Sequence, residues 1–184
     1  MTAGHRSGVE FPDAGKLRVY GDIAFLAFRS PRHQAMPLGV LRESVEPPVE
    51  LGQFRIFRFD EIPRGVFTWA RLDAAAEREY LTRGRLDPNA WNSGDRLWII
   101  DLIAPYRGLA QGMVRWITKP GNFTDKDFRF RRVEGRDRTR KIVHIDFHRP
   151  GGLSRVYESA GQYLAALSPS DAGCGPRGVS AAAR

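Results

Sequence analysis

The sequence is poor in the features that stabilise secreted proteins and that anchor proteins in membranes. It has a single cysteine, Cys174, among 184 residues, so no disulfide can form within the chain. No segment approaches the roughly 20 apolar residues that a transmembrane helix needs. Residues 1–16 lack the apolar core of a signal peptide. We therefore expect a cytoplasmic protein with no stable insertion in a membrane.

Metal-binding and nucleotide-binding patterns are also missing. His144 and His148 fall on or beside a predicted strand, where four residues span roughly 13 Å, too far for one ion. The chain has no Walker A motif and no Rossmann fingerprint. A glycine-rich cradle for coenzyme A is not evident, since the segment after the most apolar run holds only Gly108 and Gly112. The sequence thus predicts no metal site and no bound cofactor.

Acidic residues are fewer than basic ones. The chain has 29 Lys and Arg against 21 Asp and Glu, a net charge of +8. This surplus favours acidic partners through long-range attraction, and nucleic acid, an anionic membrane surface and an acidic carrier protein all qualify. In the basic run 129–141, arginines alternate with Phe128 and Phe130, which favours a hairpin with one apolar face over a nucleic-acid patch.

Residue patterning predicts a single domain over residues 17–167, of α/β (α+β) class. Residues 1–16 are mostly polar and contain glycine, so we expect a loose N-terminus; residues 168–184 hold small residues, Gly and Pro but no large aromatic, so we expect a disordered tail. Helices are predicted at 21–29, 33–42, 73–82, 108–118 and 153–167, and strands at 53–59, 65–72, 97–104, 127–133 and 141–147. This order of elements predicts a central sheet with helices packed on its faces.

One apolar run, LWIIDLIA, is interrupted by a single charged residue, Asp101. On a strand, Asp101 shares a face with Leu97, Ile99 and Ile103, because side chains alternate. A carboxylate among such neighbours is costly unless another group pairs with it. The partner is either structural, such as Arg96, or part of a catalytic site.

His33 follows a break in the chain at Ser30 and Pro31, so it can lie at the start of a helix. A lone histidine in such a place is more often a surface side chain than a catalytic one. A His–Asp pair would be chemically useful, since the carboxylate fixes the tautomer of the ring and stabilises its protonated form.

Four segments form an ordered set of motifs. The most specific is WNSGDRLWIIDLIAPY at 91–106. The others are GDIAFLAFRSPRHQAMP (21–37), GVFTWARLDAAAEREYL (65–81) and FRFRRVEGRDRTRKIVHIDFHRPGG (128–152). Together, over roughly residues 20–165, they resemble the toxin-activating lysine acyltransferases, which acylate pore-forming repeat-in-toxin proteins.

The resemblance implies a fold related to the general-control-type N-acetyltransferases, with a mostly antiparallel mixed sheet and helices on both faces. It places the catalytic histidine at His33 and the catalytic aspartate at Asp101, which supplies the partner that this carboxylate needs. It also implies acyl carrier protein as the acyl donor, in place of free coenzyme A, and a protoxin as the protein substrate.

Further candidates for binding the donor or the substrate lie in the same motifs: Ser30, Arg96, Trp98, Arg129 and Arg132. The sequence departs from the family where tryptophans and an arginine are usual, at Phe25, Phe28, Gln34 and Met36. These departures leave the catalytic pair intact and bear on the acyl chain and the protein target, because apolar pocket residues set what fits.

In the mechanism we expect, His33 takes a proton from the target lysine and Asp101 stabilises the imidazolium. Direct transfer and a covalent acyl-histidine both stay open. Two other functions compete with this one: an acyltransferase of the same fold acting on another protein or a small amine, and a basic nucleic-acid-binding module. We expect no nucleic-acid partner, and the sequence leaves a homodimer open.

Overall fold

The computed structural model describes residues 12–134 and 138–167. No helix in this part of the chain is long and apolar enough to cross a membrane. The helices are α1 Ala14–Ala27, α2 Pro31–Gln34, α3 Leu38–Glu50, α4 Ala74–Arg83, α5 Leu109–Ile117 and α6 Ala160–Ala166. The strands are β1 Phe54–Phe59, β2 Ile62–Leu72, β3 Arg96–Ile103, β4 Asp127–Glu134, β5 Arg138–Asp146 and β6 Ser154–Tyr157.

The strands form one sheet in which spatial order follows chain order, from β1 to β6. Every neighbouring pair is antiparallel except β3 and β4, which are parallel and joined through α5. A parallel pair needs such a crossover, because the chain must return to the same end of the sheet. The predicted mixed, mostly antiparallel sheet is confirmed, while its relationship to the N-acetyltransferases stays a prediction.

Helices cover both faces of the sheet, as predicted. On one side, which we call the α5 face, α5 packs over a cluster that includes Phe67 and Phe128. On the other side, the α4 face, α1 and α3 cover a cluster around Leu26, while α4 and α6 cover one around Tyr80 and Trp98. Burial on both faces explains why β3 is almost continuously apolar between Arg96 and Asp101.

Strands β3 and β4 pair over only a short distance. Within the described strands, the parallel register joins Trp98 with Arg129 and Ile99 with Phe130, and no further pair follows. Beyond these residues the two strands diverge, and side chains of both line an opening between them. This divergence creates the space in which the candidate site lies.

A β-bulge at Ile100 determines which face Asp101 occupies. Thr68 pairs with Asp101, and the next residue of β2 pairs with Ile99, so Ile100 is an extra residue in β3. The bulge places Asp101 on the α4 face. The prediction that Asp101 shares a face with Leu97 and Ile99 is therefore wrong, because the strict alternation it assumed is interrupted by the inserted residue.

The predicted final helix, 153–167, is wrong over its first half. Ser154–Tyr157 forms β6, whose backbone pairs with β5, and the helix is limited to Ala160–Ala166. Ser159 caps this helix by accepting a hydrogen bond from the Gln162 N–H. The spacing of the apolar residues favours a helix here, but backbone pairing with the neighbouring strand β5 outweighs it.

Two boundaries near the N-terminus also differ from expectation. Helix α1 begins at Ala14, inside the segment predicted to be loose, because Asp13 accepts a hydrogen bond of 2.7 Å from the Lys16 N–H. The predicted helix at 33–42 is divided into α2 and α3, with Pro37 between them. The remaining strands and helices occur within a few residues of their predicted positions.

Residues 1–11 and the predicted tail 168–184, which includes Cys174, lie outside the described residues. The core of the predicted domain, from the second half of α1 to the end of α6, lies within them.

Candidate active site

His33 and Asp101 come together beside the point where β3 leaves β4. Their side chains are joined by a hydrogen bond of 2.7 Å between Nε2 of His33 and Oδ2 of Asp101. The short helix α2 carries the histidine, with Pro31 at its first position, where a missing N–H costs nothing. His33 is only 4% exposed, so this pair is largely shielded from water.

The other ring nitrogen of His33 is engaged as well. Its Nδ1 lies 2.7 Å from the hydroxyl oxygen of Ser30. An ionised Asp101 can only accept hydrogen bonds, so Nε2 carries the ring proton and Nδ1 accepts from the Ser30 hydroxyl. The three side chains thus form a chain with the order of a serine–histidine–aspartate triad, in which the histidine can take up a proton through Ser30.

Arg32 is a second partner of Asp101, and it is positively charged. Its Nη1 donates to Oδ1 of Asp101 at 3.0 Å, and the Leu102 N–H donates to the same oxygen at 2.9 Å. Burial works to raise the pKa of the Asp101 carboxyl, but the hydrogen bond and charge of His33 and the charge of Arg32 outweigh it and hold this pKa below its usual value. Asp101 is therefore ionised at neutral pH and can stabilise an imidazolium.

The sequence pointed to the wrong arginine as a structural partner for Asp101. Arg96 does not reach it and instead donates to Glu77, a completely buried carboxylate on α4. Arg32 was missed, although it is adjacent to His33 in the same motif, and that proximity was the available signal. A neighbouring cation in a catalytic motif is a natural partner for the second oxygen of the carboxylate.

Two other predicted binding residues belong to the same buried cluster. Trp98 donates to Glu77 through Nε1 at 2.8 Å. Arg129 lies against Glu77, with Nε 4.0 Å from its Oε1, and forms an ion pair of 2.8 Å with Asp127. Tyr163 of α6 donates to Glu77 at 2.8 Å. The structure therefore places Arg96, Trp98 and Arg129 around a buried carboxylate and not beside the His–Asp pair.

The arginines that follow on β4 differ in their surroundings. Arg132 is exposed and so is accessible to a partner. Arg131 is half-buried: its guanidinium lies 4.2 Å from the ring centre of Tyr80 and donates to the Gly84 carbonyl and to Thr139. Arg131 thus belongs to the walls of the site, while Arg132 belongs to the surface.

A pocket on the α5 face reaches Asp101 through the gap between β3 and β4. We call it the α5-side pocket; its walls include Val114 and Ile117 of α5 and Phe128 and Phe130 of β4. Its cavity volume is about 180 Å³. The walls are mostly apolar and the charged groups cluster at the Asp101 end, an arrangement that suits an acyl chain with a polar head.

A second, narrower pocket reaches the same carboxylate from the α4 face. This α4-side pocket has a cavity volume of about 60 Å³ and is lined by Val40 of α3, Tyr80 of α4 and Trp91, among others. Four residues line both pockets: Arg32, Ile100, Asp101 and Arg131. The site thus has two entrances that meet at one carboxylate, which is the geometry that a transfer between two substrates requires.

Comparison with known proteins decides what kind of enzyme carries this site. A sequence model of the RTX toxin acyltransferase family (HlyC) matches residues 13–146, which include Ser30, His33 and Asp101. The chain belongs to this family. The family predicted from the sequence motifs is therefore confirmed, and the catalytic roles of its individual residues stay predictions.

Named acyltransferases of this family are similar to the chain over most of its length. The protein-lysine palmitoyltransferase CyaC of Bordetella bronchiseptica is 30% identical over 164 residues, which are 86% of this chain and 87% of the relative. The RTX-I toxin-activating lysine-acyltransferase ApxIC of Actinobacillus pleuropneumoniae is 35% identical over 133 residues, 72% and 74% of the two chains. The protein-lysine myristoyltransferase HlyC of Escherichia coli is 31% identical over 133 residues, 72% and 75%.

This RTX toxin acyltransferase also contains a second His–Asp contact, which the sequence did not indicate. His144 of β5 lies 2.9 Å from Asp127 of β4, and its hydrogen bond lowers the pKa of the Asp127 carboxyl. The contact joins two neighbouring strands and is remote in the sheet register from Asp101. Within residues 12–134 and 138–167, no group of three His, Cys, Asp or Glu side chains is placed to hold a metal ion.

Proposed function

We propose that the protein transfers a fatty acyl group from acyl carrier protein to lysine side chains of a protein substrate, an RTX protoxin. The observation that carries this proposal is the Ser30–His33–Asp101 hydrogen-bonded chain, whose Asp101 end lines both pockets, in a protein of this family. The relatives named above are lysine acyltransferases, and two of them are named for palmitoyl and myristoyl transfer, which supports lysine as acceptor and a fatty acyl group as cargo.

The transfer breaks the C–S bond of a thioester and forms the C–N bond of an amide. The amine loses a proton and the leaving thiolate gains one, so a single base that later acts as acid balances the reaction. In our proposal His33 is that group: its Nδ1 receives the proton through the Ser30 hydroxyl, and Asp101 stabilises the resulting imidazolium at 2.7 Å.

Direct transfer fits the surroundings of His33 better than a covalent acyl-histidine. Both ring nitrogens are already hydrogen-bonded, one to Ser30 and one to Asp101. Acylation of either nitrogen would break one of these bonds and place a bulky group where the side chain is only 2% exposed. Proton transfer leaves both contacts in place.

The α5-side pocket is the better candidate for the acyl donor. It is about three times as large as the α4-side pocket, about 180 Å³ against 60 Å³, and Phe128 and Phe130 give it apolar walls. A fatty acyl chain gains free energy in proportion to the apolar area it buries, so the larger apolar pocket is the favourable place for it.

Acyl carrier protein would bind near the mouth of this pocket, on the β4–β5 hairpin. Arg132 and Arg140 are exposed there, and the chain carries a net charge of +8. Acyl carrier proteins are acidic, so complementary charge would accelerate their encounter with this surface. Arg129 and Arg131 contribute less to docking, because they are bound to buried groups.

A purified reconstitution tests the function. The protein is incubated with acyl-acyl carrier protein and an RTX protoxin, and peptide mass spectrometry locates any added fatty acyl mass. We expect the mass on lysine side chains, with little or none when His33→Ala replaces the wild type. Wild-type protein that is folded but leaves every lysine unmodified would contradict the proposal.

The donor is tested separately by charge reversal. Arg132→Glu together with Arg140→Glu should raise the KM for acyl-acyl carrier protein, and added salt should raise the wild-type KM, since exposed charges are screened. Arg42→Glu, the same change on α3, serves as the control and should leave this KM near the wild-type value. If the hairpin and α3 variants changed the KM for acyl-acyl carrier protein equally, the hairpin would not be the docking site.

A further inference from the structure

Tyr80 has a buried hydroxyl group that the fold leaves without a partner. The side chain is 1% exposed, and among residues 12–134 and 138–167 its hydroxyl makes no hydrogen bond of normal geometry, although the Arg131 guanidinium, 4.2 Å from the ring centre, is a polar group beside it. A buried hydroxyl without a hydrogen bond costs free energy, about 1–3 kcal/mol by mutational series. Tyr80 lines the α4-side pocket, so a molecule in this pocket can supply the missing hydrogen bond.

The shape and lining of the α4-side pocket suit a lysine side chain. Val40, Leu86 and Trp91 give it apolar walls, and the Glu43 carboxylate lines it as well. Lysine has a slender stem of four methylene groups and a cationic end, which match these two features in turn. At about 60 Å³ the pocket is narrow for a fatty acyl chain, which has the larger α5-side pocket available.

The charges at the inner end of this pocket favour a neutral amine. Arg32 is paired with Asp101, whereas no carboxylate of the described residues lies within 4.0 Å of the Arg131 guanidinium. A nearby cation and an environment with little water both disfavour the ammonium form of an amine. A lysine that passes Glu43 and approaches Arg131 would therefore lose its proton more readily, and only the neutral amine attacks a thioester.

We propose that the α4-side pocket admits the acceptor lysine, and that the Tyr80 hydroxyl forms a hydrogen bond with its amine. The acceptor then reaches the reaction centre from the face of the sheet opposite to the donor, with Asp101 between them. This inference rests on the proposed function and adds to it the entrance used by the protein substrate and a residue that positions the amine.

A matched pair of substitutions tests the assignment of the two pockets. Val40 lines only the α4-side pocket and Val114 only the α5-side pocket, and each valine lies on a helix at the wall. Val40→Trp should raise the KM for a single-lysine acceptor peptide at least tenfold and change the KM for the acyl donor less than twofold. Val114→Trp should show the reverse pattern.

Tyr80→Phe tests the hydrogen bond with almost no change of shape. Because the hydroxyl is unpaired in the fold, its removal should leave the melting temperature unchanged or higher. The KM for the lysine peptide should rise about five- to tenfold, in line with the loss of one hydrogen bond. A Tyr80→Phe enzyme with unaltered acceptor kinetics would show that this hydroxyl does not contact the amine.

The outcomes separate this inference from the proposed function. If wild-type enzyme acylates no lysine, the proposed function fails. If it does, but Val40→Trp raises the KM for the donor, then the α4-side pocket holds the acyl group and the inference is wrong. The inference is also wrong if Val40→Trp alters neither KM.

A variant modified after folding guards against misfolding of Val40→Trp. Val40→Cys is made in a Cys174→Ser background, so that the introduced thiol is the single cysteine of the chain. Labelling the folded protein with a bulky maleimide should then raise the acceptor KM, while the unlabelled protein behaves like the wild type. Labelling that leaves the acceptor KM unchanged would overturn the proposal.

Discussion

Both nitrogens of His33 are held by neighbouring side chains, and this makes its role unusually testable. Ser30 and Asp101 each lie 2.7 Å from the ring, on opposite sides. The ring is therefore fixed in one orientation and one tautomer before any substrate binds, which lowers the cost of reaching the transition state. Residues that act through such a chain lose their effects together, because each one needs the others.

A double-mutant comparison of His33 and Asp101 measures this coupling. His33→Ala should lower kcat by roughly 10²–10⁴-fold, as expected for a lost general base. Asp101→Asn should also be severe, since it removes the charge and can favour the wrong tautomer. The double variant should be little slower than His33→Ala alone. Melting curves run beside the assays separate catalysis from folding, and a folded Asp101→Asn enzyme with normal transfer would refute the pair.

The carboxylate of Asp101 should also make the stability of the protein depend on pH. Burial works to raise the pKa of Asp101 in the folded protein, but His33 and Arg32 outweigh it and hold this pKa below its ordinary value. Its charged form therefore stabilises the fold above that value, and this contribution disappears as pH falls through the folded pKa. In urea unfolding, the free energy of unfolding of the wild type should exceed that of Asp101→Asn at pH 7, and this difference should become smaller at pH 3. A gap independent of pH would contradict this origin.

The sequence predicted that His33 and Asp101 form a pair, which the structure shows as a hydrogen bond, but it did not predict what surrounds them. His33 and Asp101 were assigned from short motifs whose residue types are tied to their chemistry. The face of Asp101 depended on one inserted residue, Ile100, which alternation alone does not indicate. The sequence suggested Arg96 as the partner of Asp101, whereas the structure shows Arg32. Arg32 and Asp101 are 69 positions apart, and their contact depends on how α2 packs against β3, which local patterns do not indicate.

At the level of elements, replacing two different glycines with alanine should change the free energy of unfolding in opposite directions. Gly84 ends α4 in the left-handed conformation, with φ of 79°, and its N–H bonds to the Tyr80 carbonyl. Gly84→Ala should therefore lower the free energy of unfolding by about 1 kcal/mol. Gly112 lies in α5 with no atom near an added Cβ, so Gly112→Ala should raise it by about 0.5–1 kcal/mol through helix propensity. Urea denaturation measures both, and effects of the same sign would contradict the conformational argument.

The elements that the sequence predicted correctly were those with strong local signals. Helix α4 lies within one residue of its predicted bounds 73–82, and Asp73 caps it with its side chain accepting from the Ala76 N–H at 2.7 Å. Strands β1 and β2 also lie close to their predicted positions, and the turn residues Asp60 and Glu61 that join them have the positive φ angles of a primed hairpin turn. Strand β6 could not be predicted this way, because its stability comes from pairing with β5 and not from its own pattern.

At the level of the whole molecule, Glu77 joins elements that are distant in sequence. Arg96, Trp98 and Tyr163 all donate to this carboxylate, so α4, β3 and α6 meet at one buried charge. Removing one partner of a buried ion pair leaves the other uncompensated, at a cost of about 3–5 kcal/mol. Glu77→Ala should lose stability on this scale in urea unfolding.

The exposed Glu79 provides the control for this prediction. Among the described residues its ion-pair partner is Arg83, one turn away on the surface of α4. Glu79→Ala should change the free energy of unfolding by less than about 0.5 kcal/mol, since exposed pairs contribute little. A loss for Glu77→Ala as small as this would show that the buried carboxylate is not a structural centre.

The short pairing of β3 with β4, over two residue pairs, has a consequence for how the protein would respond to binding of an acyl donor. The sheet has one half on each side of this contact, β1 to β3 and β4 to β6. In the part of the chain that the structure describes, strand pairing joins the halves only at Trp98 with Arg129 and Ile99 with Phe130. A molecule bound in the α5-side pocket contacts residues of both halves and so stabilises their association. At a concentration 100 times its Kd it adds about 2.7 kcal/mol of stability. Amide exchange in β4 should slow on donor binding far more than in β1, so substrate loading would be visible as stiffening before any chemistry occurs.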